Sequence, residues 1–176
     1  MIVEMKIGEG CDMEEIKMDY DSNDATLKHI RRVNQLLLKA ATEILERAQK
    51  HDKSKLESPE KEGFDLYTPK LNDCTYGSEE YKGYLYELSV VLQNHYKYNS
   101  HHPEHYQNGI HGFDIFDLIE MFFDWRAASE RHADGDIFES IAINTKRFNL
   151  SPQLVDILTN TAKRYFHKIK GTGGGV

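Results

Sequence analysis

A long segment with helical periodicity, free of glycine and proline, constrains most strongly how this chain can fold. Between residues 24 and 50, apolar side chains recur at intervals of three and four residues, which places them on one face of a helix. Ser22, Asn23 and Asp24 are suitable N-caps for it. The apolar positions are Ile30, Val33, Leu37, Ala40, Ala41, Ile44 and Ala48. The segment therefore predicts one long amphipathic helix.

Other segments with the same periodicity predict further helices. Their approximate bounds are 78–100, 113–133, 136–148 and 152–168. Residues 52–77 contain Pro59, Gly63, Pro69 and Gly77, so we expect a long connection there with only short helical turns. The pattern predicts an all-α fold, a compact single-domain bundle of five to six helices.

The termini differ from the helical region in composition. Residues 1–23 are mixed and acidic, and we expect a lead-in that contains at most a short strand at residues 2–7. Residues 24–169 form the predicted helical domain. Residues 170–176 include a glycine-rich sequence, which predicts a disordered tail.

Composition excludes several classes of partner. The net charge of −7 disfavours binding to extended nucleic acid. No run of about 18 apolar residues is present, so no membrane partner is expected. The start of the chain lacks a secretory pattern, and Cys11 and Cys74 are isolated, which favours a reducing cytoplasm. The oligomeric state is left open, with a homo-oligomer as one option.

Five of the nine histidines lie between His95 and His111. A stable core does not need so much imidazole, whereas a metal site does, because neutral imidazole is the commonest metal ligand in proteins. Two other places add ligand types, namely the His51-Asp52 pair and Asp124 on a later helix. The predicted metal ligands are His51, Asp52, His95, His101, His102 and Asp124.

Each part of this set also has a plainer interpretation. His51-Asp52 is compatible with a solvated helix end, and His95 with a core histidine bonded to a tyrosine. Asp124 belongs to an acidic stripe that also contains Asp114, Asp117 and Glu120. Such a stripe faces either water or a polar cleft that contains the histidines, and the sequence does not decide between them.

Nearby residues suggest roles in binding and catalysis. Lys55 follows Asp52 by three residues and is the expected phosphate-binding cation. Asn99 would orient a substrate, and either Glu104 or His105 would protonate a leaving oxygen. Glu60 would support a metal ligand from behind.

The order of His29, His51-Asp52 and Asp124 resembles the HD-domain superfamily of metal-dependent phosphohydrolases. H-D-K-S-K and His101-His102 resemble the HD-GYP branch of that family. The motifs H-D-K-S-K, N-S-H-H-P-E-H-Y and D-L-I-E-M-F-F-D-W are also similar to an uncharacterised family of phage and bacterial proteins over residues 25–165. The HD resemblance implies an all-helical fold and adds His29 to the metal ligands.

The chain departs from that pattern in three ways. The G-Y-P triplet is missing, so cyclic di-GMP is not implied as substrate, and Ser54 precedes Lys55 where the family has glycine. A continuous helix would separate His29 from His51 by about 33 Å at 1.5 Å per residue. Within one chain, His29 therefore reaches the site only if the helix breaks, around residues 34–35 or 48–49.

These observations lead to one main prediction and two alternatives. We expect a metal-dependent phosphohydrolase that acts on a nucleotide or other small phosphate ester, with one or two divalent ions chosen from Mn, Fe, Co, Ni and Zn. One alternative is an HD-fold di-iron oxygenase. The other is a non-catalytic, metal-containing ligand-binding protein of phage origin. The expected location is the cytoplasm of a bacterial cell, and a phage-encoded origin is left open.

Overall fold

The computed structural model describes residues 21–74, 78–130 and 135–166, and these are helical without a strand. Three short 3-10 turns lie at Lys53–Leu56, Pro103–His105 and Gly109–Gly112. The predicted strand at residues 2–7 and the glycine-rich tail lie outside the described residues. The predicted all-α class with six helices is confirmed. The α-helices are α1 (Asn23–Lys50), α2 (Glu60–Asp73), α3 (Glu79–Tyr98), α4 (Ile115–Ser129), α5 (Ile137–Phe148) and α6 (Pro152–Phe166).

The chain divides into two compact units, residues 1–41 and residues 42–176. The described part of the first unit is the N-terminal portion of α1. The second unit contains the end of α1 and all later helices. No described helix is long and apolar enough to span a membrane.

Helix α1 is continuous from Asn23 to Lys50, as its periodicity predicts. The helix does not break at residues 34–35 or 48–49, and His29 needs such a break to reach the candidate site of its own chain. None of its residues is buried against the described part of the chain. The predicted apolar residues therefore do lie on one continuous helix, but none of them is buried in a core.

Helix α2 corrects the predicted connection at residues 52–77. Pro59 stands at its N-cap position and Pro69 lies inside it, so the two prolines do not prevent a helix. Gly63 permits close packing on α3, because a Cβ atom there would lie 2.4 Å from Val91 Cγ2. Packing against α3 outweighs the hydrogen bond that Pro69 cannot make. The prediction of an irregular connection was wrong because it assumed that each proline and glycine interrupts a helix.

The main apolar core of the second unit is built by α4, α5 and α6. Asn149 ends α5 in a left-handed conformation with φ of 50°, and the chain then enters α6 at Pro152. The core fixes one face of α4, so the acidic face of that helix is held in a defined direction. The buried core residues are Phe122, Ile137, Ile141, Leu150, Leu158 and Ala162.

Candidate metal centre

Histidines and carboxylates from separate segments of the second unit converge around Asp52. His51 and Asp52 follow the end of α1, and Asp52 has a left-handed φ of 55°, so the chain turns out of the helix there. This turn lets neighbouring side chains point to a common place, which they cannot do on a regular helix. The other members are His95 on α3, His101 and His102 in the following loop, and Glu120 and Asp124 on α4.

Asp52 lies between the histidines and contacts three of them. Its Oδ1 atom is 3.3 Å from His95 Nε2 and 3.5 Å from His101 Nε2. Its Oδ2 atom is 3.6 Å from His51 Nε2. His95 Nε2 is also 3.0 Å from His102 Nε2. The Nε2 atoms of all four histidines therefore point into one region beside a carboxylate.

Two buried atoms in this region have no hydrogen-bond partner within the described residues, namely Asp52 Oδ1 and His101 Nε2. A buried polar atom without a partner costs roughly 1–3 kcal/mol. The two atoms face each other at 3.5 Å, and both are acceptors if the imidazole carries its proton on Nδ1. A cation bound between them would satisfy both, so the donor set fits a metal ion.

The opposite ring nitrogens of three histidines are held by carboxylates. His95 Nδ1 lies 2.8 Å from Glu60 Oε2, while His51 Nδ1 and His101 Nδ1 lie 2.9 and 3.1 Å from Glu120 Oε1. An ionised carboxylate only accepts, so this pattern assigns the proton of each ring to Nδ1. In the neutral form of each ring, Nε2 then has a lone pair directed at the cluster. A carboxylate behind a histidine is the usual support of a metal ligand.

Three groups of described residues bring potential ligand atoms within 4.8 Å of one another. Asp52 belongs to two of these groups, as do His51 and His101. Because they share members, the three groups are parts of one cluster, whose residues could hold one or two ions. The groups are Asp52-His95-His101-His102, His51-His101-Glu120 and His51-Asp52-Asp124.

The histidines differ in charge. Hydrogen bonds to Asp124 and then Glu120 raise the pKa of His51 to about 10, so without an ion its Nε2 also carries a proton at neutral pH, and a cation bound there would replace that proton. Burial, followed by repulsion from His101 and His95, lowers the pKa of His102 to about 3. His102 is therefore neutral at physiological pH, which is the form that binds metals.

The carboxylates of the cluster are ionised. Burial alone would raise the pKa of Asp52, but contacts with His95 and Lys55 outweigh it and hold the pKa well below the ordinary value. The pKa of Glu120 is lowered in the same way by His101 and His51, and that of Asp124 by its hydrogen bond to His51. Several fixed negative charges thus surround the Nε2 atoms, which favours a divalent cation.

Glu60 occupies the supporting place that the sequence suggests for it. Its side chain is 1% exposed. Besides His95, it accepts hydrogen bonds from Ser54 Oγ at 2.9 Å and Asn94 Nδ2 at 3.0 Å. This arrangement fixes the orientation of the His95 ring.

Among the predicted ligands, the structure brings together His51, Asp52, His95, His101, His102 and Asp124. It does not add His29, which is exposed on the continuous helix α1 and belongs to none of the three groups. The acidic stripe on α4 could face either water or a polar cleft, and its residues differ in this respect. Asp117, Glu120 and Asp124 face inward, whereas Asp114 is exposed and caps α4.

The residues predicted to bind substrate have partners inside the protein. Lys55 Nζ donates to Asp52 Oδ2 at 2.6 Å. Asn99 Nδ2 donates to Ser54 Oγ at 2.9 Å and to the His95 carbonyl at 2.8 Å. Both therefore lie beside the candidate metal ligands.

The two predicted proton donors are bonded elsewhere. Glu104 accepts a hydrogen bond from Arg147 Nη2 at 2.7 Å, and His105 Nδ1 donates to the Tyr96 carbonyl at 2.7 Å. Neither residue belongs to the three groups. Their role in proton transfer stays a prediction without a contact to support it.

Sequence reasoning missed the double role of Glu120 and the position of Arg47. Arg47 Nη1 donates to Asp117 Oδ1 at 2.8 Å and to Glu120 Oε2 at 3.1 Å, which holds Glu120 against the histidines. A usable signal existed for Glu120, because it precedes Asp124 by one helical turn and shares its face. No comparable signal marked Arg47.

A largely apolar cavity of about 300 Å³ opens beside the cluster, between the end of α1 and α4. Arg47, His51, Glu120 and Asp124 form its polar part. Its apolar walls come from Ile44, Ala48, Phe116, Ile119, Phe123 and Ala127. The cavity gives a small molecule access to one side of the candidate ligands.

The chain belongs to DUF5662, a family of unknown function whose model matches residues 18–164. No curated protein matches the chain, and no solved structure matches it. The family assignment therefore adds no activity to the geometry above.

Proposed function

We propose that this protein is a metal-dependent phosphohydrolase that acts on a nucleotide or another small phosphate ester. The observation that carries the proposal is the convergence of three histidine Nε2 atoms on Asp52, with that of His102 beside His95 and two buried acceptors left unpaired. His95, His101 and His102 with Asp52 would hold one divalent ion. His51 and Asp124, sharing Asp52, would hold a second.

Bound divalent ions would supply a water of lowered pKa and polarise the phosphoryl oxygens. Glu60 and Glu120 keep the imidazole rings in the ligating orientation. Lys55 carries a positive charge 2.6 Å from Asp52, close enough to meet a phosphate oxygen at the same place. The apolar cavity beside His51 would receive the uncharged part of the substrate, such as a nucleobase.

The experiment is a hydrolysis assay with p-nitrophenyl phosphate and a panel of mono-, tri- and cyclic nucleotides, each with Mn²⁺, Co²⁺ or Zn²⁺. We expect phosphate release that disappears in Asp52→Asn and persists in His111→Ala. His111 is a suitable control because it is an exposed histidine outside the three groups. Metal binding without release of phosphate from any compound would contradict the proposal.

A second candidate is a non-catalytic protein that binds a ligand through its metal. It is favoured by the contacts of Glu104 and His105, which direct both predicted proton donors to other partners. In that case a nucleotide would raise the melting temperature of the metal-loaded protein without being consumed. Iron in the purified protein, together with oxygen consumption, would instead indicate the oxygenase.

A further inference from the structure

The apolar cavity beside His51 opens directly onto the candidate metal centre. His51 and Asp124 line the cavity, and together with Asp52 they form one of the three ligand groups. All of the lining residues belong to the second unit of the chain. A phosphate held at this ligand group would therefore have the cavity next to it. The proposed function leaves open whether the group attached to that phosphate is a nucleobase or a hydrocarbon.

The walls of the cavity are suited to a hydrocarbon. Phe116, Ile119, Phe123 and Ala127 follow one another at intervals of three or four residues, so they lie on the same side of α4. Ile44 and Ala48 complete the walls from the end of α1. Such a surface contributes to affinity mainly by removing apolar surface of a ligand from water.

The polar residues that line the cavity already have charged partners. Arg47 Nη1 donates to Asp117 Oδ1 at 2.8 Å and to Glu120 Oε2 at 3.1 Å. Glu120 Oε1 lies 2.9 Å from His51 Nδ1, and Asp124 Oδ1 lies 3.7 Å from His51 Nε2. The edge of a nucleobase carries several donors and acceptors, which would lose water here without gaining free partners from these residues. Buried polar atoms without partners are unfavourable, so a hydrocarbon group fits the cavity better.

A second cavity, of about 220 Å³, reaches His51 and Glu120 from another side and has the opposite character. A polar group bound at the metal centre is better placed in this second cavity, and a hydrocarbon group in the first. The remaining residues that line the second cavity are charged or polar, namely Glu43, Glu46, Arg47, Lys50, Tyr98, Asn99, Ser100 and His101.

We propose that the apolar cavity binds an aliphatic or aryl group, and that the substrate is a phosphate ester of an apolar alcohol rather than a nucleotide. This inference rests on the proposed phosphohydrolase function and narrows its substrate class. Hydrolysis of such an ester consumes one water and releases the apolar alcohol and inorganic phosphate.

The first test measures binding by titration calorimetry of the full-length, Mn²⁺-loaded protein with methylphosphonate, butylphosphonate and hexylphosphonate. Phosphonates keep their carbon–phosphorus bond, so binding is measured without turnover. We expect the affinity to rise about two- to fourfold for each methylene group that enters the cavity. The phosphonate analogue of adenosine monophosphate should bind more weakly than hexylphosphonate. Equal affinities of the three alkylphosphonates would overturn the proposal, since the cavity would then take something else, such as a segment of another chain.

Variants that fill the cavity test whether the gain arises there. Ala127→Phe adds a ring from α4 and Ala48→Phe adds one from α1. Both variants should lose the dependence on chain length while keeping their helical content, their Mn²⁺ content and their affinity for methylphosphonate. Ala128→Phe is the matched control, because Ala128 is exposed on the same helix and does not line the cavity. A full dependence on chain length in both filling variants would overturn the proposal.

Failure of this inference can be distinguished from failure of the proposed function. Phosphate release from p-nitrophenyl phosphate, together with equal affinities of the alkylphosphonates, would overturn the inference alone. Binding that strengthens with chain length and is lost in the filling variants, without hydrolysis of hexyl phosphate or any other ester, would contradict the phosphohydrolase and support the apolar binding site.

Discussion

Two polar clusters lie side by side along α4, and they differ in how completely their hydrogen bonds are satisfied. In the first, the buried Asp117 carboxylate accepts hydrogen bonds from Arg47 at 2.8 Å, Ser100 at 2.6 Å and Tyr106 at 2.7 Å. In the second, the histidine cluster around Asp52, two buried acceptors lack partners. The first cluster is complete without any bound ion, and the second is not.

The difference indicates a structural role for the cluster around Asp117 and a binding role for the cluster around Asp52. Burial alone would raise the pKa of Asp117, but the hydrogen bonds from Ser100, Tyr106 and Arg47 outweigh it and keep that pKa below the ordinary value. A satisfied buried network of this kind positions α4 against the loop after α3 and the end of α1. The unsatisfied acceptors at Asp52 and His101 instead point to a ligand that completes them.

The largest expected effect concerns the centre of the histidine cluster. Because Asp52 belongs to two of the three ligand groups, Asp52→Ala should abolish binding of Mn²⁺ or Zn²⁺, as measured by titration calorimetry and by metal content after dialysis. His111→Ala should retain the metal content of the natural protein. Full metal content in Asp52→Ala would show that the cluster is not the metal site.

Breaking the complete cluster should affect stability instead. Asp117→Ala leaves the Arg47 guanidinium without its closest buried partner, and removing one member of such a pair costs about 3–5 kcal/mol. The free energy of unfolding from urea denaturation should fall by that amount. Metal stoichiometry of the folded variant should stay unchanged. Loss of the metal at equal helical content would mean that the two clusters act as one.

A smaller effect is expected from the support behind His95. Glu60→Gln keeps the size of the side chain but weakens the hold on the Nδ1 proton, and loss of such a support reduces metal affinity about 10–100-fold. Glu62→Gln, on the same helix but exposed, is the control. Equal affinities of the two variants, measured by competition with a metal chelator, would argue against His95 as a ligand.

The smallest expected effect is a change in pH dependence at Tyr106. Burial, with the hydrogen bond to Asp117, raises the pKa of Tyr106 from 10.0 to about 12. The neutral phenol is therefore favoured in the folded state, and its contribution is complete below pH 10 and lost as the pH rises toward about 12. Tyr106→Phe should cost about 1 kcal/mol at neutral pH.

The check is the difference in unfolding free energy between the natural protein and Tyr106→Phe across the alkaline range. That difference should shrink above pH 10, the ordinary pKa of tyrosine. A difference that stays constant with pH would show that Tyr106 does not ionise more readily in the unfolded chain.

Local patterns in the sequence were sufficient for most helices and for much of the candidate site. The period of α1 and the break at residues 149–151 depend on neighbouring residues alone. The sequence also predicts that His95 and His102 share a side of α3 if its phase continues past its end, and the two rings do meet, although His102 lies in the loop after α3. Residue types and spacing alone also predict His51, Asp52 and Asp124 as metal ligands.

Only tertiary structure decided the rest, because those features depend on contacts between segments that are distant along the chain. Gly63 lets α2 pack closely against Val91 of α3, and this contact cannot be predicted from the residues next to Gly63 in the sequence. Arg47 and Glu120 are 73 residues apart, yet together they orient the histidines. His29 stays outside the cluster because α1 does not break. Sequence determined which side chains suit a metal, and packing determined which of them meet.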